Sequence, residues 1–278
     1  MYKDSQKLLN HLKNKDDNFW LLQGEKMALD LFHDIAISVP AYKHFLTENG
    51  IQDHKKIKSI DDFKKYVPII DKDSYISQYS LDDLSIGGVL AGGSVISHSS
   101  GTTGQPCYWP RFSRHNRETT ILHDVMFRSI FQADKKKTLF VVCFHLGGHI
   151  AGVVTVTAIK QLLDWGLKGA LMTPGLNQKD ILHTIEHISP FFDQTVLIGY
   201  PPFIKDVIKE GIEKGIDWSQ VNTKFMFSAE SFPEVWRESV YQMSSTKDLE
   251  YGGINVYGSA DLGAMAHETP ASIRLRRL

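Results

Sequence analysis

The sequence predicts an α/β protein in which β-sheets are layered with helices, preceded by a mostly helical N-terminal segment. Short apolar runs at residues 196–198, 225–227 and 254–257 are typical of buried strands. Longer stretches between them carry apolar residues at helical spacing. Because strands that alternate with helices favour parallel pairing, we expect the sheets to be at least partly parallel.

The elements follow from local signals. Residues 1–80 are predicted to be mostly helical, with one helix ended by Pro40 and a short helix starting near Ser59. Apolar residues at helical spacing predict a helix over residues 115–131, and residues 139–144 are a candidate strand. A further helix is predicted over residues 203–212, stopped by Gly215.

Composition and charge exclude several classes of protein. The 278 residues include 31 Lys and Arg against 32 Asp and Glu, so the net charge of −1 argues against a protein that mainly binds nucleic acid. Hydrophobic residues make up 42% and charged residues 23%, which excludes disorder and coiled coil as descriptions of the whole chain. Cys107 and Cys143 cannot build a disulfide framework, so we expect a reducing, cytoplasmic location.

One uncharged stretch is long enough to cross a bilayer. Residues 138–159 contain no Asp, Glu, Lys or Arg. His145, Gly147, Gly148 and His149 interrupt it, so the stretch predicts a buried strand, a turn, and then a buried helix or second strand. We therefore expect no membrane span. No uninterrupted apolar stretch of signal-peptide length follows residues 1–7, so we do not expect secretion.

A loop rich in small polar residues is the sharpest local feature. It reads Ser99-Ser100-Gly101-Thr102-Thr103-Gly104-Gln105-Pro106. Its glycines permit close backbone approach, and successive amides together with four hydroxyls suit a polyphosphate. It matches neither a Walker A loop nor a dinucleotide fingerprint. From composition alone, a plain surface loop is the alternative.

Two later segments join this loop in one pattern. One reads Ser228-Ala229-Glu230-Ser231 and the other Tyr257-Gly258-Ser259-Ala260-Asp261. In order and spacing, the three resemble motifs of the adenylate-forming superfamily. Within it, the segments at residues 39–42 and 67–73 resemble the N-terminal pattern of the phenylacetate-CoA ligase-like subgroup. The resemblance covers about residues 18 to 269 and implies the large N-terminal domain of these enzymes. Such enzymes activate a carboxylic acid with ATP as an acyl-adenylate and pass the acyl group to CoA or a protein thiol.

The resemblance also implies roles for individual residues. The β- and γ-phosphates of ATP would be held by Ser99, Ser100, Gly101, Thr102, Thr103 and Gly104. The adenine would be lined by Ala229, Glu230 and Ser231 and stacked on Tyr257, next to Gly258. Ser259 and Asp261 would be the catalytic contacts to phosphate and to the Mg²⁺ that ATP carries.

The same resemblance places an acyl pocket, in which an aromatic or aliphatic acid would bind. Its residues would include His145, Gly147, Gly148, Tyr200 and Pro201. A zinc site at Cys143, His145 and His149 is an alternative use of these side chains, but no further ligand stands at a recognised spacing.

The chain departs from the family pattern at several positions. Asp261 replaces the usual Glu, and Ala260 removes a hydroxyl. We expect an α/β core over residues 81–270 that is incomplete, an atypical tail at residues 271–278, and no C-terminal lobe with its catalytic Lys. A truncated chain would have impaired turnover.

Two other functions stay open. The chain could be a non-catalytic nucleotide- or acyl-binding remnant, or half of a partner-dependent enzyme. It could also be an acyl-protein synthetase, which transfers the acyl group to a protein cysteine. A homodimer is one arrangement that the subgroup resemblance leaves open.

Overall fold

The computed structural model describes residues 4–90, 95–98 and 107–278. Their helices are α1 (Ser5–Asn14), α2 (Asp17–Ser38), α3 (Pro40–Glu48), α4 (Ile60–Tyr66), α5 (Ser113–Ser129), α6 (Ile150–Asp164), α7 (Gln178–His187), α8 (Pro201–Glu213), α9 (Glu234–Met243) and α10 (Pro270–Arg276). Their strands are β1 (Val95–His98), β2 (Tyr108–Arg111), β3 (Thr138–Cys143), β4 (Gly169–Met172), β5 (Gln194–Gly199), β6 (Thr223–Ser228), β7 (Gly253–Ser259) and β8 (Gly263–His267).

The chain divides into two compact units. The helical unit contains the described residues between 9 and 96 and residues 107–113. The sheet unit contains residues 4–8, 97–98 and 114–278.

The helical unit is built around an aromatic core. Phe32, Tyr42, Phe45 and Tyr75 are buried together with aliphatic neighbours. As the sequence predicts, α2 ends at Ser38, and Pro40 occupies the first turn of α3, where its missing N–H costs no hydrogen bond. Ser59 caps α4 in a reciprocal capping box with Asp62, which confirms the short helix predicted there.

The sheet unit contains a six-stranded sheet in the order β4-β3-β5-β6-β7-β8. Neighbours from β4 to β7 pair in parallel, and β8 pairs antiparallel with β7. The strands predicted at residues 139–144, 196–198, 225–227 and 254–257 all form. The predicted α/β class with partly parallel pairing is therefore confirmed.

Both faces of this sheet are covered by helices. On β3, Phe140 and Val142 pack with residues of α5 and α6, whereas Leu139 and Val141 pack with residues of α7, α8 and α9. Successive side chains of a strand point to opposite faces, so a continuous apolar run serves both cores. This explains why the strands of the sheet read as uninterrupted apolar runs rather than as alternating ones.

Some elements differ from or add to the sequence prediction. The segment after Gly148, which the sequence left as helix or strand, is the helix α6. Strands β4 and β8 were not predicted because they are short and rich in Gly and Ala. Residues 270–276 form α10. No helix in the described residues is both long and apolar enough to span a bilayer.

A buried arginine holds the β7 side of the sheet unit together. The Arg237 side chain on α9 is fully buried, and its guanidinium donates to Glu234 Oε2 at 2.9 Å and Glu268 Oε2 at 2.7 Å. A third bond runs to the carbonyl of Gly253 at 3.2 Å. Arg276 of α10 also pairs with Glu268, so the cluster joins α9, β7, the end of β8 and α10.

Replacing Arg237 by Met should destabilise the protein by about 3–5 kcal/mol, because it leaves Glu234 and Glu268 as largely buried, undercompensated carboxylates. Urea unfolding followed by circular dichroism measures the change. The matched control is Arg274→Met, since the Arg274 side chain is 70% exposed in its pair with Glu250 and its loss should hardly move the midpoint. Equal shifts for the two variants would contradict the prediction.

Candidate active site

A cavity of about 710 Å³ opens in the sheet unit where parallel strands end. Parallel strands direct their carboxyl ends to one edge of the sheet, which is where ligands bind in α/β proteins. The lining residues come mainly from the segments that follow β3, β5, β6 and β7: His98, Cys143, Phe144, His145, His149, Ile150, Ala151, Leu176, Tyr200, Pro202, Phe203, Asp206, Ala229 and Ala260.

The wall of the cavity is mostly apolar. Phe144, Ile150, Leu176 and Phe203 contribute aromatic and aliphatic surface. Asp206 is an exposed carboxylate one helical turn after Pro202 on α8. Such a wall suits the hydrocarbon part of a ligand, with polar groups restricted to a few positions.

Three histidines meet at this cavity. The rings of His98 and His149 lie 4.6 Å apart, and those of His145 and His149 lie 4.9 Å apart. Gly148 allows this approach, because a Cβ at that position would lie 2.7 Å from His98 Cδ2. The backbone N–H of His98 donates to the carbonyl of Gly148 at 2.9 Å.

The environment of His149 favours its uncharged imidazole. Desolvation, with a contribution from the nearby His98 and His145, lowers the pKa of His149 below its ordinary 6.5. Burial raises the pKa of the Cys143 thiol, so this side chain is a neutral part of the cavity wall. Within the described ranges, no group of three or more His, Cys, Asp or Glu side chains is arranged to hold a metal ion.

The loops after β5 and β6 are linked by a hydrogen bond. The hydroxyl of Tyr200 donates to Glu230 Oε1 at 2.6 Å, and this bond raises the pKa of the phenol. Asn255 Nδ2 of β7 donates to the carbonyl of Glu230 at 2.8 Å. Ala229, just after β6, has a φ of 80°, a left-handed conformation that non-glycine residues seldom adopt. Hydrogen bonds from the loop after β5 and from β7 therefore hold the backbone that follows β6 at the cavity.

The turn between β7 and β8 supplies the remaining predicted residues. The Tyr257 side chain is 69% exposed, and Asp261 is exposed in the turn. Ser259 Oγ accepts a hydrogen bond from the Leu262 N–H at 3.2 Å. A Cβ at position 258 would lie 2.4 Å from the Gly263 carbonyl oxygen, so close strand pairing there requires Gly258.

The structure brings the predicted residues together to different degrees. His145, Tyr200 and Ala229 line the cavity. Others lie at the same strand edge outside the lining: Gly147, Gly148, Glu230, Ser231, Tyr257, Gly258, Ser259 and Asp261. Pro201 is buried in the first turn of α8.

Other predicted and unpredicted residues complete this comparison. The loop residues Ser99, Ser100, Gly101, Thr102, Thr103 and Gly104 lie outside the described residues. Sequence reasoning missed Leu176, which follows the unpredicted strand β4, and Asp206. Asp206 lies four residues after Pro202, so on a helix the two residues share a face. That spacing is the sequence signal that points to Asp206.

His149 should titrate below pH 6.5, because desolvation and two neighbouring imidazoles disfavour its charged form. The unfolded chain takes up this proton near pH 6.5, so acidification from there toward the folded pKa should lower the free energy of unfolding. Side-chain NMR measures the titration of each imidazole. His98→Asn should raise the pKa of His149, whereas His187→Asn on α7 should leave it unchanged. A midpoint at or above 6.5 in the unsubstituted protein would contradict this prediction.

Comparison with solved structures adds evidence on the fold. The chain is similar to 2-hydroxyisobutyryl-CoA ligase in its thioesterification state with 2-HIB-AMP and CoA, at a TM-score of 0.69 and 14% identity, over 87% of this chain and 50% of that chain. Against the open conformation with 2-HIB-AMP and CoA, the TM-score is 0.67 at 12% identity, over 85% of this chain and 53% of that chain. The chain thus spans about half the length of these structures.

No protein-family model and no curated protein sequence matches the chain. At such low identity the similarity establishes the fold alone. The fold implied by the sequence motifs is therefore confirmed. The protein has the fold of the N-terminal domain of adenylate-forming enzymes.

Proposed function

We propose that this chain binds a carboxylic acid and ATP for the formation of an acyl-adenylate, with CoA as the acyl acceptor. The main support is one observation: an apolar cavity opens at the strand edge that also carries the segments around Ala229 and Tyr257. The similar structures contain 2-HIB-AMP and CoA, which agrees with this chemistry. Because the chain spans about half their length, the activity of the whole protein is part of the proposal.

The acid would bind with its hydrocarbon part against Phe144, Leu176 and Phe203, which favours an aromatic or aliphatic acid. Its carboxylate would lie toward His98, His145 and His149. The neutral imidazole of His149 would donate a hydrogen bond to the carboxylate without neutralising it as an ion pair does. The carboxylate would therefore stay nucleophilic while it is oriented.

The nucleotide would bind beside the acid. The exposed ring of Tyr257 offers a flat face for adenine, and the backbone from Ala229 to Ser231 follows a fixed path next to it. The phosphates would be held by the loop from Ser99 to Gly104, which lies outside the described residues. The exposed carboxylate of Asp261 suits Mg²⁺, a hard cation that prefers oxygen ligands.

The reaction follows from this arrangement. A carboxylate oxygen forms a bond to the α-phosphorus of ATP, and the bond to pyrophosphate breaks. Mg²⁺ bound with ATP would supply positive charge that stabilises the leaving pyrophosphate. The thiolate sulfur of CoA then attacks the carbonyl carbon of the acyl-adenylate, and AMP leaves. The chain's own residues orient the acid and exclude water from the cavity.

Mg·ATP should bind to the chain, and the double variant Ser100→Ala, Thr103→Ala should lose that binding, because the loop hydroxyls and amides would hold the phosphates. Titration calorimetry measures binding and does not depend on turnover. No binding by the folded, unsubstituted chain would contradict the proposal for ATP. Binding that the double variant retains would contradict the role of the loop.

Tyr257→Ala should weaken Mg·ATP binding roughly 3- to 10-fold, the loss expected for one aromatic stacking contact. The same calorimetric titration tests it. Tyr251→Ala is the matched control, since Tyr251 is also exposed but precedes β7, away from the strand edge that carries the cavity. An equal effect of both substitutions would argue against stacking at Tyr257.

Ala151→Phe should narrow the acyl cavity, because Ala151 lies in its wall. A non-hydrolysable phenylacetyl-sulfamoyl adenosine should then bind at least 10-fold more weakly, while the acetyl analogue keeps its affinity. Ala28→Phe, on an exposed position of α2, should change neither. Loss of both analogues to the same extent in Ala151→Phe would indicate general damage rather than a narrowed acyl cavity.

A further inference from the structure

A second cavity, of about 290 Å³, lies at the amino end of β6. Because the first cavity opens at the carboxyl ends of the same parallel strands, the two lie at opposite edges of the sheet. We propose that this second cavity binds a small phosphate-type oxoanion, either inorganic phosphate or a small phosphate ester. We refer to it as the lysine pocket, after Lys224 and Lys247 in its wall.

Lys224 is the residue that points to an anionic ligand. It is only 8% exposed and lies in β6, on the same face of the strand as the core residue Met226. Within the described residues, its ammonium has no carboxylate at ion-pair distance and no hydrogen-bond partner. The ammonium faces the cavity and is partly desolvated. A partly desolvated ammonium without an ion-pair partner favours an anion in the adjacent cavity.

The charges around Lys224 are of both signs. Desolvation lowers the pKa of Lys224, the nearby Asp248 carboxylate opposes this shift, and Lys136 adds a smaller effect in the same direction as desolvation. Asp248 Oδ1 accepts hydrogen bonds from the N–H groups of Glu250 and Tyr251, at 3.1 and 2.8 Å. The Asp248 carboxylate also lines the cavity and partly offsets the charge of the Lys224 ammonium, although it lies beyond ion-pair distance.

The remaining wall residues decide between anions. Lys247 gives the wall a second ammonium, and exposed Ser245 a hydroxyl, on the loop after α9. With Asp248, the wall carries two cations and one carboxylate. The excess of positive charge favours an anion, and a doubly charged phosphate more than a singly charged carboxylate. A cavity of about 290 Å³ leaves room for a small organic group on the phosphate.

The test uses the full ¹⁵N-labelled chain and follows the lysine Nζ signals by NMR during titration with sodium phosphate, against sodium chloride at equal ionic strength. We expect saturable binding of phosphate, weakened at least tenfold in Lys224→Met, which keeps a side chain of similar length. Lys209→Met, on an exposed position of α8, is the matched control and should bind as the unsubstituted protein does.

Two results would overturn the proposal: no saturable phosphate binding by the folded chain, or unchanged affinity in Lys224→Met. Thermal unfolding of each variant verifies that it is folded. If Lys224→Met does not fold, the phosphate affinity of Lys247→Met tests the proposal instead, because this exposed residue can be changed without disturbing the core. We expect a several-fold weaker affinity in that variant, and an unchanged affinity would overturn the proposal. None of these results depends on the function proposed for the first cavity.

Discussion

Parallel pairing of β3, β5, β6 and β7 is the constraint on which the rest of the sheet unit depends. It requires that helices cover both faces, since β3, β5 and β6 are buried on both sides along nearly their whole length. It also sends the carboxyl ends of these strands to one edge, so that His145, Tyr200, Ala229 and Ala260 meet although they are far apart in the sequence. The opposite edge receives the amino ends, where Lys224 lies.

Hydrogen bonds extend from the buried ion cluster around Arg237 to the carboxyl ends of the strands, where the first cavity opens. Arg237 pairs with Glu268, whose Oε2 also accepts from the Asn255 N–H at 2.8 Å. Asn255 donates through its side chain to the carbonyl of Glu230, whose carboxylate accepts from Tyr200. A contiguous series of contacts therefore connects a stability element with the loops at the cavity. Damage at Arg237 is expected to loosen those loops as well as the fold.

Sequence reasoning was most successful where one physical signal dominated. The strands near residues 196–198 and 225–227 were predictable because short apolar runs of β-branched and aromatic residues are typical of buried strands. Strands β4 and β8 contain Gly and Ala, which have a low intrinsic preference for strands. These two strands form because neighbouring strands of the sheet pair with them. Of the site, His145, Tyr200 and Ala229 were identified through motif resemblance. Leu176 could not be, because its place depends on β4.

The left-handed backbone at Ala229 has a consequence for how this position can change over evolutionary time. An alanine there carries backbone strain of about 1 kcal/mol or more that a glycine would not, but it also restricts the unfolded chain more than glycine does. The strain outweighs the effect on the unfolded chain, so Ala229→Gly should favour folding. Asn, Asp and His adopt a positive φ more often than other non-glycine residues, whereas β-branched residues seldom do. Position 229 is thus open to glycine and to a few polar residues over evolutionary time, and closed to β-branched ones.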